Sequence, residues 1–181
     1  MLRRPVRHRF AALALAVLAT AACSPTFNWR EVPVGDDGVV VLLPCKPDRA
    51  ARELSLGIES VTVNMAGCKV GGATFAVAQA QAADAAQAET WLRAWHAATR
   101  SQLAGAPVVE SAAKLTRAAL APAALRIDTA VHDADGQAIP THILWFAQDR
   151  AGKVSLYQAT VLGDPSSPEA LATFFEGLRI P

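Results

Sequence analysis

The sequence predicts an α+β domain: an antiparallel sheet of about six to seven strands with one long helix and a short C-terminal helix packed on it. Three observations carry that prediction. Residues 27–79 hold strand-like alternation broken at Gly and Pro corners, residues 84–103 switch to a helical period, and residues 125–162 divide into three strand-like segments with short polar turns between them. Strands, a long helix, more strands and a short helix, in that order, suit a sheet that carries its helices on its faces.

The first residues stand outside that domain. Arg3, Arg4, Arg7 and Arg9 precede an apolar run from Phe10 to Ala22, which is the layout of an export signal over residues 1–22. The run holds 13 residues, short of the roughly 20 that a helix needs to cross a bilayer core. It ends in Thr20-Ala21-Ala22-Cys23, which resembles the lipobox of bacterial lipoproteins, although Thr20 stands where leucine is usual. The resemblance implies lipid on Cys23, attachment of the chain to a membrane through that lipid and, with Ser24 next in the chain, sorting to the outer membrane on its periplasmic side. Ordinary cleavage after Ala19-Thr20-Ala21 would instead release a soluble periplasmic protein. Cysteine parity favours lipidation, because Cys23, Cys45 and Cys68 leave one odd thiol in an oxidising compartment unless Cys23 is acylated.

Removing 22 residues leaves 159, enough for one domain, here residues 27–181 behind a tether at 23–26. Four of the 17 basic side chains lie in the leader, so the remainder carries 13 against 16 acidic ones, a net charge of −3. That balance, with no Lys or Arg cluster, argues against a nucleic-acid partner.

Within the domain, Phe27 to Val34 and Val39 to Leu43 read as a hairpin turning at Gly35-Asp36-Asp37-Gly38. After the Pro44 to Pro47 corner, Glu59 to Ala66 and Ala73 to Gln79 read as strands joined through Gly71-Gly72, a dipeptide suited to positive φ. A helix follows from Asp84 to Leu103. Asp84 and Gln87 are spaced as a capping box, Ala88, Leu92, Trp95, Thr99 and Leu103 share one face, and Gly105 stops it. Trp91 and Trp95, one turn apart, are expected to cover the sheet. Residues 106–123 fit either a strand or a coil. Leu125 to His132, Ile139 to Gln148 and Val154 to Leu162 then form an antiparallel meander, and Ser167-Pro168-Glu169 opens a last helix that docks through Leu171, Phe174 and Phe175.

The segment VVVLLPCKP, Val39 to Pro47, resembles the strand and Pro-x-x-Pro corner that opens PsbP-like periplasmic domains, and Tyr157 to Ile180 is similar to their final strand and helix. Asn28-Trp29-Arg30 is similar to a segment found in a loose group of proteobacterial lipoproteins. These resemblances imply a PsbP-like fold and an accessory or binding role. They transfer no catalytic or ligand residue.

Among chemistry-bearing residues, Cys45 and Cys68 lie at strand ends and are expected to pair. His96, His132 and His142 are the histidines beyond the leader. A site across the meander would assemble His132, His142, Asp128 and Asp133; with a two-residue turn at Asp135-Gly136, His142 would face Thr129. Asp133-x-Asp135-Gly136 matches a fragment of a calcium loop, but Leu144 stands where the bidentate glutamate belongs. No Gly-x-Ser-x-Gly or Gly-rich phosphate loop occurs. The sequence therefore suggests no cofactor and no metal. It favours a non-catalytic module that binds another envelope component, with a small hydrolase-like enzyme on the meander as the alternative.

Overall fold

The computed structural model describes residues 26–103 and 105–181, so residues 1–22, read from the sequence as an export signal, and Cys23 lie outside the described residues. The chain opens with a two-stranded antiparallel hairpin, β1 (Arg30–Val34) and β2 (Val39–Leu43). Seven further strands form one antiparallel sheet: β3 (Asp48–Leu56), β4 (Glu59–Val70), β5 (Ala73–Ala82), β6 (Val109–Ala112), β7 (Leu125–His132), β8 (Ala138–Arg150) and β9 (Lys153–Gly163). Their spatial order is β3-β4-β5-β9-β8-β7-β6. Among the described residues, two helices complete an α+β architecture, α1 (Ala85–Gln102) and α2 (Pro168–Glu176). No helix among the described residues is long and apolar enough to cross a membrane.

The central strands bury both faces, and each face has its own cover. On the first, Phe75, Phe146, Tyr157 and Val161 pack beneath the β1–β2 hairpin and α2, with Phe174 edge-on to Phe75 at 5.5 Å. On the second, Leu156, Ile143 and Trp145 pack beneath α1, whose Trp95 meets Trp145 edge-on at 4.8 Å. All five residues of the helical stripe read from the sequence are buried, as is Trp91. Asp84 caps α1 by accepting from the Gln87 N–H at 2.8 Å, and the Gln87 side chain accepts from the Ala83 N–H at 2.8 Å.

Two strands exceed what alternation reveals. β3 is exposed along nearly all its length and turns only Leu54 and Leu56 inward, so no apolar period marks it. Asp48, Arg49, Arg52 and Glu53 lie on this edge strand, a placement that discourages pairing with another chain. β6, at the opposite edge, is exposed at all four positions. The meander also shifts by one residue from the register expected. His142 lies opposite Asp128 and not Thr129, because the β7–β8 loop holds five residues, 133–137. Asp133 lengthens it: its carboxylate accepts from the backbone N–H groups of Asp135 and Gln137 at 3.0 and 2.8 Å.

The disulfide between Cys45 and Cys68 is formed, with 6.0 Å between the Cα atoms. It ties the corner after β2 to β4 and so fastens the small sheet to the large one. Chain-entropy arguments for a separation of 23 residues give a contribution of about 3.5 kcal/mol. We expect a Cys45→Ser, Cys68→Ser double variant to lose close to that amount in urea unfolding against the oxidised protein; a difference under about 1 kcal/mol would refute the staple role.

Candidate functional site

Besides a broad polar depression of about 930 Å³ bordered by Asp36, Arg49, Glu59 and Gln87, three places among the described residues stand out for their polar or concave chemistry. The first lies on the meander. Alternation along β7 puts Arg126 and Asp128 on one face, and the register sets His142 directly across from Asp128. His142 Nδ1 is 2.6 Å from Asp128 Oδ1. Arg126 Nε donates to both Asp128 oxygens at 3.1 and 2.9 Å, and its Nη2 donates to Oδ1 at 3.0 Å. The guanidinium in turn lies 4.6 Å over the ring of Phe175 on α2. Burial works against the charge on Asp128, but hydrogen bonds from Arg126 and His142 and the Arg126 charge outweigh it and hold the carboxyl below its ordinary value.

His132 and Asp133 do not join this group. His132 ends β7, exposed, opposite Ala138, four residues along the strand from Asp128 and therefore roughly 13 Å away. Asp133 is engaged by its own turn. Among the described residues, no cluster of three or more His, Cys, Asp or Glu side chains is placed to hold a metal ion. His96 lies elsewhere, on α1, with its ring 4.6 Å from that of Trp145, and burial lowers its pKa.

The second place is a polar latch beneath the β1–β2 turn. The Asp37 carboxylate accepts from the Ser155 hydroxyl and, at 3.2 Å, from Gln81 Nε2. Its backbone carbonyl accepts from Gln148 Nε2 at 3.4 Å and from an Arg150 guanidinium nitrogen at 3.1 Å. Gln79, Gln148 and Ser155 are buried, and Tyr157 beside them is pushed well above its ordinary pKa by burial and by the Asp37 charge. The latch seats the turn on the sheet. In the sequence Asp37 looks like an ordinary solvated turn residue, and nothing local reveals it.

The third is a cleft of about 380 Å³ between the C-terminal half of α1 and the second face of the sheet. Trp95, Ala98, Thr99 and Leu103 roof it, and Ala78, Ile143, Gln158 and Thr160 form its floor. Leu54 and Leu56 of β3 close one side and Val131 of β7 stands at the other. None of its described lining residues is charged. Two hydrogen bonds lie along it, Gln158 Nε2 donating to Thr99 Oγ1 at 3.2 Å and the Thr141 hydroxyl donating to the Ile139 carbonyl at 3.2 Å. The neutral side chains of Ser55, Gln102 and Thr160 also line it. Its size falls in the range of small-molecule sites, roughly 300 to 1,000 Å³.

No protein-family model matches this chain, and a search of curated proteins finds no match.

The meander cluster has a testable electrostatic consequence. The folded pKa of Asp128 lies below the ordinary 3.8, so its stabilisation is complete above that value and is lost as pH falls through the folded value. Because the group is partly exposed, we expect Asp128→Asn to cost about 1 kcal/mol or less at neutral pH. The stability difference between the two proteins, read from urea unfolding, should be full at neutral pH and shrink progressively as pH is lowered beneath the ordinary carboxylate value; a difference that does not shrink with acidification would refute the assignment.

Proposed function

We propose that this chain is an envelope lipoprotein, tethered through lipid on Cys23, whose PsbP-like domain is a non-catalytic module that binds another component of the envelope. The observation that carries the binding role is the uncharged cleft beneath α1. It offers apolar area and neutral polar groups with no charged side chain, which suits holding a ligand more than transforming one. The PsbP-like reading is supported by the meeting of the two segments behind that resemblance. The Val40 N–H donates to the Arg179 carbonyl at 3.0 Å, the Arg179 N–H donates back at 2.9 Å, and α2 packs beside them.

The tether reading gains support from the start of the described chain. The Phe27 ring lies against Gly71 in the β4–β5 turn, and the Asn28 N–H donates to the Pro44 carbonyl at 2.7 Å. The ordered domain thus begins within a few residues of Cys23. Placement on the outer membrane, facing the periplasm, follows from Ser24 by the lipoprotein resemblance.

A second reading, a small hydrolase-like envelope enzyme, has one observation in its favour, the 2.6 Å contact between His142 and Asp128. A carboxylate that orients a histidine is a known half of catalytic relays. Here, however, Arg126 holds the same carboxylate with three hydrogen bonds, and that arrangement suits an ion-paired strut between β7, β8 and α2.

Fractionation and crosslinking in intact cells test the proposal. Native protein should sediment with the envelope, carry an acylated Cys23 by mass spectrometry and crosslink to a discrete component; the Cys23→Ala form should be soluble and lose that crosslink. Native protein recovered in the soluble fraction with an unmodified Cys23 would overturn the tether. Turnover of an ester or peptide substrate that vanishes in His142→Ala, with the fold intact, would overturn the non-catalytic role.

A further inference from the structure

We propose that the cleft beneath α1 takes a single alkyl chain of an amphiphile from the envelope, with the polar head left outside. This inference deepens the binding role proposed above and names its ligand class. Four observations point to it.

The first is the chemistry of the lining. A cleft whose lining is apolar or neutral, with no charged wall, favours apolar ligand surface and supplies no side-chain charge to balance a buried one. A carboxylate or phosphate inside it would be unpaired, whereas a hydrocarbon chain would not. The second is size: at about 30 Å³ per water-sized group, 380 Å³ accommodates roughly a dozen carbon-sized groups, which is a chain and not a sterol or a two-chain lipid.

The third is the exit. Leu162 lines the margin of the cleft and is 39% exposed. It also lines a shallow depression with Lys69, Thr74 and Asp164, where both signs of charge are present beside water. A polar head emerging past Leu162 would meet that rim. The fourth is orientation. Leu162 pairs with Thr74, one register step from the Ala73–Gly163 pair and beside the Gly71–Gly72 turn on which Phe27 rests. The cleft therefore opens at the end of the sheet from which the N-terminal segment leaves. Three residues, 24–26, separate Phe27 from Cys23, a reach of about 10 Å when extended. A lipid-anchored chain would hold this exit against the membrane surface, where alkyl chains are available.

Titration of the full Cys23→Ala chain with N-dansyl-decylamine, whose fluorophore is the head and whose ten-carbon chain is free at its far end, tests the site without its tether. The expected result is saturable binding with enhanced dansyl emission. Ile143→Trp, which fills the floor, and Ala98→Trp, at an exposed position on the roof, should each weaken it at least tenfold, while Asn64→Ala on the other face should leave it unchanged. Circular dichroism establishes that each variant is folded; Ala98→Trp keeps the test decisive if the floor variant is not. Displacement by decanoate, by a lysophospholipid or by both supports the site and tells a free fatty acid from a membrane lipid. Absence of saturable binding by folded Cys23→Ala protein, or binding indifferent to Ala98→Trp, overturns it. Because the probe assay does not involve Cys23 acylation, its failure leaves the tether standing, and an unmodified Cys23 in native protein leaves the cleft standing.

Discussion

The ladder between β5 and β9 is the interaction on which the rest of the structure depends. It runs from the Ala73–Gly163 pair to the Ala82–Val154 pair and joins the N-terminal hairpins to the C-terminal meander. The strands are distant in sequence, so their pairing must offset a long loop closure before any backbone hydrogen bond rewards it. What makes it favourable is burial on both faces. Phe75 and Val77 of β5 lie on one side with Tyr157, Ala159 and Val161 of β9, while Ala78, Ala80 and Leu156 lie on the other, all but Ala78 at 0% exposure. Two adjacent strands that are apolar on both faces cannot rest against water on either, and each face therefore has to recruit a cover.

The two covers differ in how they are fixed, and the cleft follows from that difference. On the first face the β1–β2 hairpin and α2 are locked by the Cys45–Cys68 bond, by the Asp37 latch and by the backbone pairing of Val40 with Arg179. On the second face α1, with 18 residues, spans about 27 Å in length but covers a stripe only about 10 to 12 Å wide. Seven strands at about 4.8 Å spacing make a sheet nearly three times as broad. Sheet twist brings β3 up beside the helix, and Leu54 and Leu56 wall off the side instead of filling the gap. Small side chains on the lower helix and floor, Ala98, Thr99 and Ala78, keep the gap open. Larger residues at these positions would close it.

Elements with a strong local signature were legible in the sequence. α1 combined a capping box with an unbroken apolar stripe, and the meander had turn residues on both sides of each β-rich run. The disulfide followed from the expected oxidising compartment, cysteine parity and the position of both cysteines at strand ends. What escaped has physical reasons. β3 and β6 are edge strands whose side chains mostly face water, so they carry no period-two signal. The one-residue shift in the meander depends on a single side chain, because the Asp133 carboxylate captures two backbone N–H groups and enlarges the loop. Of the site proposed from sequence, His142 and Asp128 meet, whereas His132 and Asp133 remain at the tip. Arg126 was visible in principle, two residues from Asp128 and hence on the same strand face. The cleft was not visible, because its walls come from β3 and β7, which lie far apart in both sequence and sheet order.

The meander cluster and the cleft lie on opposite faces of the same strands, and this separation bears on what each can do. β8 sends His142 to the first face and Ile143 to the second, so the polar contact and the apolar floor are neighbours through the backbone but not through space. Asp128 and Arg126 are occupied with each other, and the Arg126 guanidinium lies over Phe175, which fastens α2 to the edge of the sheet. A binding cleft needs a floor that stays rigid when the ligand leaves, and the floor here is the central part of the sheet, braced from behind by the fastened face. The charged cluster thus belongs with the disulfide and the Asp37 latch as a fastening of the first face, and the proposed cleft on the second face draws on none of them.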